Sequence, residues 1–187
     1  MKKLLLSAAA VMAFSFATQA QEVKFGAKAG LNIADFGGDA ETDGSRTGLH
    51  VGAIAEIKLT ETFSVQPELL YSMQGAKGKE LGVEYDLKFD YINIPIMAKY
   101  YLMEGLSIEA GPQVGFLMSA KAEDEDVKDG YKGVDFALNG GVAYDLPMGV
   151  FFQARYSAGL NNIYDGEGSD DYKTTNNVIS LSVGYKF

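Results

Sequence analysis

The stretch that decides the fold is the C-terminal run TNNVISLSVGYKF, residues 175–187. Its last apolar residues occupy every second position: Ile179, Leu181, Val183, Tyr185 and Phe187. A period of two belongs to a β-strand whose two faces meet different surroundings. Chain ends are ordered only where something holds them. The run therefore predicts a final strand that pairs with another strand.

Seven further runs alternate in the same way. They cover residues 23–36, 47–59, 63–75, 85–101, 106–120, 134–146 and 150–160. None of them has apolar residues at i, i+3, i+4 and i+7, so we expect almost no helix.

The run 85–101 changes phase near its middle. Tyr85, Leu87, Phe89 and Tyr91 share one parity, and the apolar residues from Ile92 onward share the other. One extra residue in a strand produces such a slip. We therefore expect a β-bulge near Tyr91 and Ile92, which keeps Phe89 on the same apolar face as the later residues.

The connections between the runs alternate in length. Those at 60–62, 103–105 and 147–149 are short, whereas those at 37–46, 76–84, 121–133 and 161–175 are long and polar. This alternation is typical of an outer-membrane barrel with short periplasmic turns and longer external loops. We therefore predict an all-β, eight-stranded, antiparallel up-and-down transmembrane barrel. Because unpaired backbone is excluded from hydrocarbon, the last strand must pair with the first, with both ends on the short-turn side.

Alternation alone does not say which face meets lipid, because a soluble carrier barrel points its apolar face inward. Here the polar face combines charges with many glycines, which suits a narrow lumen filled by side chains. Aromatic residues near the run ends resemble interfacial girdles. The runs are also long enough for a tilted bilayer crossing, which takes about 9–11 residues. We therefore expect the apolar face to meet lipid.

Residues 1–20 have the three parts of a secretory signal peptide, and we expect the barrel domain to cover 21–187. Two lysines and an apolar run precede the small residues before Gln21. Removing this segment leaves 14 basic against 25 acidic side chains, a net charge of −11, which argues against nucleic acid as a partner. The sequence has no cysteine, so disulfides do not stabilise it.

Several strand motifs carry a family resemblance. They are FGAKAGLN (25–32), YINIPIMAKYY (91–101), GPQVGFLMS (111–119), ARYSAGLNNI (154–163) and SVGYKF (182–187). By these motifs the mature chain resembles the PorT-like "porin family" outer-membrane barrels of Bacteroidetes-type bacteria. The resemblance implies the outer membrane of a Gram-negative bacterium. It also implies that the assembly machinery recognises the last strand through Val183, Tyr185 and Phe187.

The candidate site is the polar network of the lumen. Its predicted members are Lys28, His50, Glu56, Glu68, Lys99, Glu109, Asp135 and Arg155. These charges either line an aqueous path for ions or form ion pairs that fill the barrel, and the narrow interior of an eight-stranded barrel favours the second. Arg155 has five donors and is the expected hub, with Glu68, Glu109 or Asp135 as its partners.

Other chemistry has little support in the sequence. His50 is the only histidine, and we interpret it as a structural lumen residue instead of a member of a hydrolase triad. The acidic stretches 123–126 and 165–171 lack the spacing of an EF-hand and read as solvated loops instead of Ca²⁺ sites. We expect no catalytic residues, no metal and no cofactor.

The predicted function is a non-enzymatic, monomeric membrane anchor whose loops meet an extracellular or periplasmic partner. Outer-membrane lipid and, during insertion, the assembly machinery are further expected partners. A narrow channel for small solutes or ions is the alternative.

Overall fold

The computed structural model describes residues 22–40, 42–80, 83–166 and 172–187. The predicted signal peptide, 1–20, lies outside these residues. The strands are β1 (Val23–Gly38), β2 (Gly44–Lys58), β3 (Phe63–Glu80), β4 (Val83–Tyr101), β5 (Leu106–Ala122), β6 (Glu125–Asp126), β7 (Val134–Asp145), β8 (Val150–Gly159) and β9 (Thr174–Lys186). A 3₁₀ turn covers Lys128–Gly130. In the described parts of the chain, no helix is long and apolar enough to cross a membrane.

Eight long strands close into an antiparallel barrel, as the sequence predicts. Each strand pairs with its neighbours in the chain, β4 pairs with β5, and β9 pairs with β1, so that Ala29 lies between Val51 and Val183. The two-residue β6 only extends the external end of β5. Both ends of the described chain lie on the short-turn side, where the Phe187 N–H donates to Phe25 O at 2.8 Å.

The two faces of the wall differ in burial. On β1, Leu31 points outward and is 49 % exposed, whereas the next residue, Asn32, points into the lumen and is 1 % exposed. Exposed aromatic side chains occur near both ends of the outer wall, among them Phe25, Tyr100, Tyr144, Phe152, Tyr185, Tyr71, Phe116 and Phe136. The prediction that the apolar face is the outer face is confirmed.

The prediction of a bulge in β4 is wrong. Burial alternates without a slip from Phe89 to Tyr100 of this strand, and Phe89, Tyr91 and Asn93 all point into the lumen. The irregularity lies on the neighbouring strand: Asp90 pairs with Ser119 but Tyr91 pairs with Leu117, which leaves Met118 as an extra residue in β5. The phase change in β4 arises because the lumen itself becomes apolar at this level.

The prediction of a long loop at 76–84 is also wrong. β3 and β4 continue to Glu80 and Val83 as a paired hairpin, with Lys77 opposite Asp86. Polar residues are compatible with a strand that leaves the bilayer and enters water, so the loss of apolar alternation does not mark the end of the strand. The neighbour β5 stops earlier, where Glu123 adopts a left-handed conformation (φ 53°) and its carboxylate accepts from the Asp86 N–H at 2.8 Å.

Candidate functional site

The lumen side chains nearest the short turns form a charge-balanced group, here called the periplasmic cluster: Lys99, Lys186, Glu56 and Asp145. Lys186 contacts Glu56 at 2.5 Å and Asp145 at 2.7 Å, and Lys99 lies 3.6 Å from each of the two carboxylates. The Tyr101 hydroxyl donates to both carboxylates. Two cations and two anions therefore neutralise each other at this end of the lumen.

A second balanced group, the central cluster, comprises Lys28, Arg155, Glu68 and Glu109. Arg155 binds Glu68 through two parallel hydrogen bonds of 2.9 and 2.8 Å, and its Nε donates to Glu109 at 2.8 Å. Lys28 adds a contact to Glu68 at 2.8 Å, and Gln153 bridges Lys28 and Glu109. All four charged side chains are buried, so the pairing is what makes their burial tolerable.

A layer of uncharged polar side chains lies beyond the central cluster, toward the external end, and is here called the amide layer. It includes Asn32, His50, Ser72, Gln74, Asn176, Ser180 and Ser182. His50 Nδ1 lies 2.8 Å from Asn32 Oδ1, which only accepts, so Nδ1 donates and Nε2 accepts from the Ser182 hydroxyl at 2.8 Å. This Ser–His–Asn order resembles a nucleophile with its base. All three side chains are buried, however, and the cavity beside His50 measures about 20 Å³, the space of one water.

Glycines of the lumen let long side chains cross from one strand to the next but one. Gly141 pairs with both Glu109 and Arg155, so the arginine reaches the glutamate across a residue without a side chain. Gly30 has the same position between His50 and Ser182. A Cβ on Gly30 would lie 2.8 Å from His50 Cε1 and overlap Leu181 O. These glycines are therefore required by the network as well as by the width of the lumen.

The external end of the lumen is closed by hydrophobic side chains, which we call the external apolar cluster: Phe36, Ala76, Phe89, Tyr91, Leu117, Ala120 and Ile163. The Phe36 and Phe89 rings are 5.2 Å apart, and Tyr131 from the β6–β7 connection packs edge-on against Phe89 at 4.6 Å. Burial in this contact raises the pKa of the Tyr131 hydroxyl. Sequence reasoning missed this cluster, although the inward parity of Phe89 and Tyr91 was a signal for it.

The periplasmic mouth is open. A cavity of about 890 Å³ lies between the short turns, and Glu56, Asp145 and Lys186 of the periplasmic cluster line it. Leu102, Met103 and Met148 line it together with the charged rim residues Glu22 and Lys24. The lumen is therefore accessible from one end as far as Glu56 and Asp145.

The structure brings together most of the residues predicted for the network. Lys28, Glu68, Glu109 and Arg155 meet in the central cluster, Glu56 and Lys99 in the periplasmic cluster, and His50 lies in the amide layer. Asp135 was a candidate partner of Arg155 but instead accepts from Asn176 at 3.4 Å. The predicted network did not include Asp145 and Lys186, which complete the periplasmic cluster. The described residues contain no group of three or more histidine or acidic side chains placed to hold a metal ion.

A closed eight-stranded barrel with an apolar outer wall and a charged, filled lumen defines the class of integral outer-membrane β-barrels. The chain belongs to the family described as "Outer membrane protein beta-barrel domain", whose family model matches residues 19–165. The protein therefore resides in the outer membrane of a Gram-negative bacterium. No curated protein matches the sequence significantly.

Solved structures share this fold at low sequence identity. Neisserial surface protein A (NspA) has a TM-score of 0.59 at 14% identity, over 90% of this chain and 100% of its own. Ail of Yersinia pestis, in complex with the heparin analogue sucrose octasulfate, has a TM-score of 0.56 at 16% identity, over 89% of this chain and 99% of its own. OprG of Pseudomonas aeruginosa has a TM-score of 0.52 at 14% identity, over 89% of this chain and 97% of its own. Identities in this range show the common fold alone.

Proposed function

We propose that this protein is a non-conducting, non-enzymatic membrane anchor that presents its external end to a binding partner. The observation that carries the proposal is the filling of the lumen by three barriers in series. The periplasmic cluster, the central cluster and the external apolar cluster each occupy a different level.

The central cluster is the strongest barrier to ions. Arg155 is held by three hydrogen bonds, two to Glu68 and one to Glu109, and both carboxylates are buried. In a surrounding of low dielectric constant such pairs attract each other far more strongly than in water. An ion that crosses the lumen would have to separate these pairs and then pass the packed rings of the external apolar cluster.

The charge of the external connections indicates the kind of partner. The sequence segments 37–46, 76–84, 121–133 and 161–175, of which the second belongs to the β3–β4 hairpin, carry 14 acidic and 7 basic side chains. Ail was solved with a polyanionic heparin analogue. The acidic connections of this protein favour a partner of opposite charge, such as a basic protein surface.

The experiment that tests the anchor role is single-channel recording of folded protein in planar bilayers. We expect no conductance steps from the native sequence. The mobility of unboiled samples in gels verifies beforehand that the recorded protein is folded. Reproducible steps from the native protein would overturn the proposal.

A narrow channel remains the second candidate function, because the cavity of about 890 Å³ gives solutes access from the periplasm as far as the periplasmic cluster. It predicts that the native protein conducts and that Lys186→Ala changes the ion selectivity. The same recordings therefore decide between the two functions.

Two narrower assignments belong to the proposal. The strand motifs quoted above support membership of the PorT-like group. Val183, Tyr185 and Phe187 are exposed on the outer wall of β9 and its end, where assembly machinery could contact them. We expect deletion of Phe187 to lower the folded fraction in the outer membrane and to leave export unchanged, as measured by the mobility of unboiled samples in gels.

A further inference from the structure

Asp135 differs from the other buried carboxylates of the lumen. It projects inward from β7 and is 4 % exposed. Glu56, Glu68 and Glu109 each contact a lysine or arginine, but among the described residues no cation lies within ion-pair distance of Asp135. A buried charge is tolerated only when it is compensated. Either a bound cation or a proton must therefore neutralise Asp135.

Three polar atoms of Asp135 and its neighbours have no hydrogen-bond partner among the described residues. They are Asp135 Oδ1, Asn176 Oδ1 and the Tyr91 hydroxyl, all of them buried. Asn176 is held beside Asp135 by the 3.4 Å contact from its Nδ2. Gly115 pairs with Asp135, and a Cβ built on it would lie 2.7 Å from Asn93 Oδ1, 3.4 Å from Tyr91 Cδ1 and 3.6 Å from Asp135 Cβ. The Asn93 amide oxygen, Tyr91 and Asp135 therefore meet above this glycine.

The neighbouring donors are already used. The Asn176 amide also donates to Gln74 Oε1 at 2.5 Å. Arg46, at the external end of β2, donates to Gln74 O at 2.7 Å and forms no ion pair with Asp135. A water molecule could satisfy the three free oxygens, but it would leave the negative charge of the carboxylate uncompensated.

We propose that Asp135, Asn176 and Tyr91 bind one monovalent metal cation inside the barrel, of the sodium or potassium class. Carboxylate, amide and phenol oxygens are hard ligands that suit such an ion. Ca²⁺ takes six to eight oxygens, usually from several carboxylates. A single carboxylate matches a single positive charge. The ion lies between the amide layer and the external apolar cluster and joins β4, β7 and β9. This assignment is independent of whether the lumen conducts.

The test compares the thermal unfolding of refolded protein in detergent, at one ionic strength and neutral pH, in sodium, potassium or tetramethylammonium chloride. Tetramethylammonium is too large for the site. We expect the unfolding midpoint in sodium or potassium to be about 3–6 °C higher than in tetramethylammonium. Gel mobility of unboiled samples reports the folded fraction.

Two variants locate the effect. Asp135→Asn keeps the shape of the side chain and removes its charge, and we expect its midpoint to be the same in all three salts. Asp126→Asn changes an exposed carboxylate of β6 and should keep the full difference. Tyr91→Phe should raise the cation concentration needed for half of the effect several-fold.

Three results would overturn the proposal. The first is equal midpoints for the native protein in the three salts. The second is a difference that persists in Asp135→Asn, which would place the cation elsewhere. The third is stabilisation by lower pH without any dependence on the metal cation, which would mean that a proton compensates Asp135.

Discussion

The two ends of the lumen are filled by different chemistry on the same face of the same strands. In the periplasmic and central clusters the inward residues are lysine, arginine and carboxylates. At the external end the inward positions of β4 hold Phe89 and Tyr91, which pack against Phe36 and Ile163. The comparison shows that strand alternation specifies which way a side chain points but not what it meets there. Inward-pointing positions can therefore form ion pairs at one level of the lumen and a hydrophobic core at another.

The difference follows from what encloses each level. In the narrow middle of the barrel, opposite strands are close enough for charged side chains to pair across the lumen. At the external end, the connections after β6 and β8 fold over the opening with Tyr131 and Ile163. These residues bury the rings as in the core of a soluble protein.

The largest expected effect comes from Arg155→Ala in the central cluster. It leaves the buried carboxylates of Glu68 and Glu109 with too few partners, and we expect it to lower the free energy of unfolding by about 3–5 kcal/mol. Urea unfolding in detergent or lipid vesicles measures the change. The control is Lys24→Ala, which removes a half-exposed pair with Glu22 and should cost less than about 0.5 kcal/mol. Equal losses for the two variants would mean that the central cluster is not special.

A somewhat smaller effect is expected from Phe89→Ala in the external apolar cluster. The lost ring leaves a cavity, and we expect a loss of about 3 kcal/mol, since the covering connections can partly collapse into it. The same unfolding assay applies, with Phe116→Ala on the outer wall as the matched control, because its ring faces lipid. If Phe116→Ala were the more damaging change, the external end would not be a hydrophobic core.

The smallest effect is expected from Gly141→Ala. The new Cβ overlaps Ala154 O and lies where Arg155 crosses to Glu109, so we expect a loss of about 2 kcal/mol. Gly140→Ala is a close control, because Gly140 directly precedes Gly141 but points outward, and a Cβ on it would meet nothing within 4 Å. A similar loss in both would show that the substitution acts through the strand backbone and not through the network.

Much of the architecture could be predicted from the sequence. Eight runs of period two and the short turns between them were enough for strand number, closure and the outward direction of Leu31 or Leu181. The register between strands is not contained in this pattern. Consequently the sequence left three candidate partners for Arg155, and the register selects Glu68 and Glu109.

The two wrong predictions have a common cause, which is that the polarity of a side chain does not report the geometry of its backbone. Phe89 and Tyr91 are apolar because the lumen is apolar there, and β4 needs no bulge to place them. Lys77 and Asp86 are polar because the hairpin stands in water, although their backbone is paired and regular. In both places the medium around a regular strand changed while the strand continued.

The glycine crossings have a consequence for how the barrel finds its pairing. A slip of one residue between two strands would turn polar side chains toward lipid, so the membrane itself rejects it. A slip of two residues keeps every side chain on its proper face, so the membrane does not disfavour it. It would, however, move Arg155 from Gly141 to Asn139 or Ala143, and His50 from Gly30 to Lys28 or Asn32, where a side chain blocks the way. The glycines therefore select the native register among alignments that place the same side chains toward lipid.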